Sequence, residues 1–160
     1  MKTIIGIDPG VNGAVSVLDE AGSLLNLHDL PVTSDGFKGR STINCPLLAA
    51  LIRKTGADRA FCELIGPRPT DGVAGAFGFG RSRGAIEGVL AACGVSVVMI
   101  APPVWKRHAG VPAGKEHKDV ARARAIARWP AQAELFARKS DIDRAEACLI
   151  ALAGMAKEVR

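Results

Sequence analysis

At 160 residues, 48% of them hydrophobic, the chain is long enough to bury a proper core and too apolar for a disordered segment. A formal net charge of +5 favours a polyanionic partner. Four cysteines with no CxxC pair (Cys45, Cys62, Cys93, Cys148) argue against a disulfide frame or zinc knuckle and point to packed thiols in a reducing, cytoplasmic setting. Asp8 interrupts the first apolar run too early for a signal peptide, and no apolar span is long enough to cross a membrane.

In chain order, three strands come first. The β-branched run Ile4-Ile5-Gly6-Ile7 makes 3–8 a buried strand ending on Asp8, turned by Pro9-Gly10; residues 13–19 and 23–30 follow as a meander. Residues 31–42 are polar and glycine-containing and read as a loop. A helix over 46–54 has Asn44 as its cap, Pro46 in its first turn and Gly56 as its stop. A fourth strand spans 59–65 and carries Glu63; a loop rich in proline and glycine follows it. A long helix over 74–92, a fifth strand over 95–100, a short helix from Pro102-Pro103 through Lys106, and helices over 118–128 and 144–157 complete the chain. This order implies an α/β fold in one domain, 1–160, with a five-stranded mixed sheet whose first three strands are antiparallel and whose faces carry helices.

The acids carry the chemistry. A carboxylate at the edge of an apolar core is costly unless a cation accompanies it, and Asp8 and Glu63 both end apolar strands. If those strands are neighbours, the two acids meet. Asp143 and Glu146 are three apart at the start of the last helix, so they share a face and repel each other. A helix N-terminus welcomes acids through its dipole, which suits Asp141 as a cap better than Glu146. A divalent cation relieves the repulsion among the other four.

With these residues in view, the chain resembles the RuvC family of Holliday junction resolvases, within the RNase H-like superfamily, and most of all its phage-type members. The resemblance spans nearly the whole length. It is carried by Ile5-Gly6-Ile7-Asp8-Pro9-Gly10, by Glu63, by Asp143-Arg144-Ala145-Glu146-Ala147, by Phe77-Gly78-Phe79-Gly80-Arg81-Ser82-Arg83-Gly84 and by Pro103-Val104-Trp105-Lys106. It implies Asp8, Glu63, Asp143 and Glu146 as metal-binding acids, with Lys106 and Lys118 as basic residues near a scissile phosphate. Either Asp141 or Asp143 serves as third ligand, and helical spacing favours Asp143. The cofactor implied is Mg²⁺, two ions per site with Mn²⁺ as a substitute, because paired ions supply both water activation and leaving-group stabilisation in phosphodiester hydrolysis. Bacterial members carry an aromatic shortly after the second acid; Gly66-Pro67 stands there in this chain, which leaves junction opening to another residue such as Phe77 or Phe79.

A basic run (Lys106, Arg107, Lys115, Lys118 and the arginines beyond) adjoins the acids in sequence, and Arg68, Arg81 and Arg83 extend it into a footprint for DNA. Symmetric nicking of a four-way or otherwise branched DNA needs two sites, hence a homodimer. Gly75, Gly78, Gly80, Gly84 and Gly88 weaken the long helix unless a close backbone approach at an interface justifies them. The expected activity is that of a structure-selective endonuclease in DNA recombination and repair. Two rivals stand beside it: an RNase H-like nuclease acting on structured RNA precursors, and a junction-binding module without catalysis.

Overall fold

The computed structural model describes residues 2–67, 69–114 and 117–158, apart from the side chains of Lys118 and Glu158. Its centre is a five-stranded sheet in the order β3-β2-β1-β6-β7. Here β1 is Thr3–Asp8, β2 Ala14–Asp19, β3 Leu24–Asp29, β6 Arg59–Glu63 and β7 Ser96–Ile100. The first three strands are antiparallel, while β6 pairs parallel with β1 and β7 parallel with β6. The mixed sheet read from the sequence is the one observed.

Alternation along the strands sorts side chains to the two faces. Ile5, Ile7, Ala60 and Cys62 enter one core, beneath α1 (Cys45–Thr55) and α2 (Val73–Ala92). Phe61, Leu18 and Ile100 enter the other, beneath α3 (Pro102–Ala109), α4 (Lys118–Arg128) and α5 (Ile142–Glu158). Asp8 lies three residues after Ile5 and Glu63 two after Phe61. Both acids therefore face α5.

Close approach makes that proximity effective. A side-chain carbon at Gly6 would stand 2.1 Å from the Ala147 carbonyl oxygen, so only glycine lets α5 settle onto β1. The Ser16 hydroxyl donates to that same carbonyl at 3.0 Å, and Gly154 meets the ring of Phe61 in the same way. The turns of α5 that carry Asp143 and Glu146 are thus pressed against the strand that ends on Asp8.

The ends of α1 follow the sequence signals. Asn44 accepts from the Leu47 amide at 3.1 Å, and Gly56 closes the helix at φ +65°. Two features depart from expectation. Residues 31–42 are not a plain loop: β4 (Val32–Thr33) pairs with β5 (Thr42–Ile43) around a 3₁₀ turn, Phe37–Gly39. The second departure is the setting of the α2 glycines: the long helix expected over 74–92 is observed, yet within the chain a side chain at Gly75, Gly78, Gly80, Gly84 or Gly88 would meet open space. All four cysteines are free thiols, and burial pushes Cys62 up to about 12, helped by the charge of Asp8. Among the described residues, no helix is long and apolar enough to cross a membrane.

Candidate metal centre

Asp8, Asp143 and Glu146 converge. Each offers a carboxylate oxygen, and the three lie within 4.8 Å of one another. Asp8 is buried; the other two, on the first turns of α5, are half-buried. Glu63 stands just outside this group but lines the same cleft of about 320 Å³, together with Lys106 and His117.

The electrostatics follow from the placement. Burial, then repulsion from Glu146, Glu63 and Asp143, then a hydrogen bond to Asp143, hold the Asp8 carboxyl well above its usual range. A carboxyl in this position gives up its proton less readily than a free one, and a cation beside it would favour the charged form. The donor set fits a hard divalent ion, since magnesium takes carboxylate oxygens and keeps several of its waters.

Glu63 is held by a residue that the sequence motif Pro103-Val104-Trp105-Lys106 contains but to which no role was assigned. Trp105, fully buried, donates its indole N–H to Glu63 Oε1 at 2.6 Å. The available signal was chemical: a tryptophan that packs into a core still needs an acceptor for its N–H. The adjacent Lys106 places Nζ 5.4 Å from the Trp105 ring centroid and lines the acidic cleft.

Asp141 has different company. Only 2% exposed, it accepts from the Arg138 backbone N–H at 2.8 Å and from Arg138 Nη2 at 2.7 Å, closing the 3₁₀ turn Lys139–Asp141 that feeds α5. Burial raises its pKa, but the hydrogen bonds and charge of Arg138, with Arg144, outweigh that and leave it below the ordinary value. Arg144 grips Asp29 of β3 with two bonds, 2.6 and 2.7 Å, and reaches Asp141 at 3.6 Å. The structure groups Asp143, not Asp141, with Asp8.

The basic residues divide. Arg81 is exposed on α2. Arg83 is engaged by Glu87 at 2.6 Å and by the Ile65 carbonyl at 2.8 Å. Arg107 lines a separate groove with His108 and Lys157. Farther along, Arg122 ties α4 to the Phe136 and Ala137 carbonyls, so part of the basic run serves packing. Arg68, Lys115 and the side chain of Lys118 lie outside the described residues.

The sheet order, with helices on both faces and acids at the ends of β1 and β6 and the start of α5, defines an RNase H-like α/β fold. Within that class, the chain is similar to Thermus thermophilus RuvC in complex with Holliday junction substrate, at 18% identity over 99% of this chain and 96% of that one, with a TM-score of 0.67. A second Thermus thermophilus RuvC structure matches at 17% identity over 98% and 96%, with a TM-score of 0.66. No protein-family model and no curated protein matches the sequence.

Proposed function

We propose that this protein is a magnesium-dependent, structure-selective endodeoxyribonuclease of the phage-type RuvC kind, which resolves four-way or other branched DNA by symmetric nicking. The observation that carries the reading is the meeting of Asp8, Asp143 and Glu146 within 4.8 Å, on a fold shared with a protein solved in complex with a Holliday junction substrate.

In this reading Asp8, Asp143 and Glu146 would hold divalent ions, with Glu63 contributing from the same cleft. Such ions, when bound, supply an activated water and stabilise charge on the phosphate and the departing oxygen. Magnesium is the natural occupant and manganese its substitute. Trp105 fixes the orientation of Glu63 by occupying one of its oxygens. Lys106, at the edge of the cleft, neutralises charge that develops on the phosphate. Lys118, Lys115, Arg68, Arg81 and Arg107 contribute to phosphate neutralisation, giving binding that weakens steeply with salt. Two copies joined along the side of α2 that carries Gly80, Gly84 and Gly88 supply two sites for one junction. The reading places the protein in the cytoplasm, where its DNA would be.

The test is cleavage of four-way DNA, three-way DNA and structured RNA, each with Mg²⁺ and with chelator. Paired nicks in opposed strands of the four-way substrate, dependent on metal, are expected. Preferential cutting of the RNA would replace the reading with RNA processing, and tight junction binding with no cutting under any metal would reduce it to a binding module.

A further inference from the structure

Two arginines stand two residues apart on α2, on different sides of the helix, and they keep different company. Arg81 is exposed and lines a cleft between the β4–β5 hairpin tip and α2, beside Phe37 and Phe77, which are themselves 81% and 74% exposed. Arg83 faces the point where the chain leaves β6. Its Nε donates to Glu87 Oε1 at 2.6 Å and its Nη1 to the Ile65 carbonyl at 2.8 Å, with the side chain 28% exposed.

The bond to Glu87 joins residues four apart on one helix and is ordinary surface chemistry. The bond to Ile65 is not, because it crosses to a residue 18 positions earlier, off the helix. It also falls where the sheet stops. Glu63 pairs in parallel register with Ile100, and the Leu64 N–H donates to the Ile100 carbonyl at 2.8 Å. Beyond Ile65 come Gly66 and Pro67. A side-chain carbon at Gly66 would meet open space, and a proline has no N–H to donate. Arg83 thus takes up the chain where the ladder gives out and ties it to α2.

That residue borders the acids. Ile65 continues the alternation of Phe61 and Glu63, and it lines the same cleft as Asp8, Glu63, Asp143 and Glu146. Glu63 is therefore braced from both faces of the sheet. Trp105 of α3 holds its carboxylate on one, and Arg83 of α2 holds the backbone two residues farther on from the other. The brace matters because Glu63 stands just outside the three acids that lie within 4.8 Å of one another. A small swing of the strand end would take it out of reach of an ion they hold. A planar guanidinium serves two acceptors in fixed directions, which a lysine ammonium cannot reproduce.

We propose that Arg83 is a positioning residue of the metal centre, fixing the end of β6 so that Glu63 joins Asp8, Asp143 and Glu146 around a divalent ion. The proposal rests on the metal-dependent reading above. It replaces the role expected from the sequence, in which Arg83 neutralises phosphate.

The test compares Arg83→Ala and Arg83→Lys with the parent on the full chain: Mn²⁺ affinity by calorimetry, junction affinity by gel shift in chelator, and melting temperature. In both variants Mn²⁺ affinity should fall about tenfold, and kcat for junction cleavage by a similar factor with KM unchanged. Junction affinity in chelator and its salt dependence should match the parent. Glu87→Gln keeps Arg83 but loosens its orientation, and should show a smaller loss of Mn²⁺ affinity; with the lysine variant it carries the test if Arg83→Ala does not fold. Parental Mn²⁺ affinity in Arg83→Lys, where the charge survives and the two-bond fork does not, overturns the proposal. A lowered melting temperature with parental Mn²⁺ affinity also overturns it, by making Arg83 a packing residue. So does junction binding that weakens in Arg83→Ala with a salt slope reduced by about 0.9, the loss of one phosphate contact. The two hypotheses fail separately. A parent that binds no Mn²⁺ and cuts no branched DNA removes the reading beneath, whereas a parent that binds and cuts, matched by its variants, removes only the role of Arg83.

Discussion

Two groups of acids flank the start of α5, and they are treated in opposite ways. Asp29 and Asp141 lie among arginines: Arg144 holds Asp29 through two short bonds, Arg138 holds Asp141, and both carboxyls sit below their ordinary pKa. Asp8 lies among acids. The charges that act on it most strongly are those of Glu146, Glu63 and Asp143, and with burial they hold its carboxyl well above the ordinary range. The first group is an ion network that fastens α5 to β3. The second stores repulsion that a divalent ion would release, and this contrast separates a structural acid from a candidate ligand two residues away.

The contrast can be broken most sharply at Asp8. Asp8→Asn should lower junction cleavage by at least about 10³-fold in a single-turnover assay while leaving junction binding in a gel-shift assay within a fewfold of the parent, because charge stabilisation is lost and the DNA surface is kept. The same substitution should raise the melting temperature of the metal-free protein, since it removes a buried charge.

The next test sets the two neighbouring acids against each other. Asp143→Asn should weaken Mn²⁺ binding, followed by calorimetry, by tenfold or more, with little change in metal-free stability. Asp141→Asn should do the reverse: metal affinity near that of the parent and a loss of roughly 1–3 kcal/mol of stability, as the Arg138 bonds to a buried carboxylate are weakened. Equal losses of metal binding in both variants would erase the distinction.

Acidity offers a third comparison. Asp8 binds its proton more tightly in the folded chain than in the unfolded one. Between its ordinary and raised values the native state therefore holds more protons, so stability of the metal-free protein falls as pH rises through that window and is fully regained below it. Asp29 and Asp141 have the opposite sign: their contribution is present above the ordinary carboxylate value and is lost as pH falls through their lowered values. Melting curves of the parent and Asp8→Asn should diverge with rising pH, and saturating Mg²⁺ should flatten the parent's dependence.

The smallest effect is expected at the network itself. Arg144→Ala should lower cleavage severalfold and raise the Mg²⁺ concentration needed for half-maximal rate, because the turn bearing Asp143 loses its anchor on β3. Exchanging the charges, Asp29→Arg with Arg144→Asp, should recover part of that loss. A double variant no better than Arg144→Ala would mean that the pair does not position the acids.

Much of this was legible beforehand. Ile4-Ile5-Gly6-Ile7 reads as a strand because branched side chains suit a packed sheet, and Asn44 with Gly56 brackets a helix because caps are local chemistry. The convergence of Asp8 and Glu63 needed only the neighbouring placement of two strands. The division between Asp141 and Asp143 was harder, because both stand at a helix start and both suit its dipole; only the reach of Arg138 and Arg144 separates them. Trp105 gave no spacing signal, since its partner Glu63 is distant in sequence and lies on another element.

The order of residues alone determined the strands and helices, the acids each would carry, and a basic surplus suited to a polyanion, because these depend on side chains within a few positions of one another. Which carboxylates face each other, which arginines are spent on packing, and where two phenyl rings stand open to solvent were decided by tertiary structure. Those outcomes depend on Gly6 and Ser16 admitting α5 to the sheet, on strand alternation turning Asp8 and Glu63 toward it, and on a hairpin tip meeting α2, contacts made across long stretches of chain that no local pattern encodes.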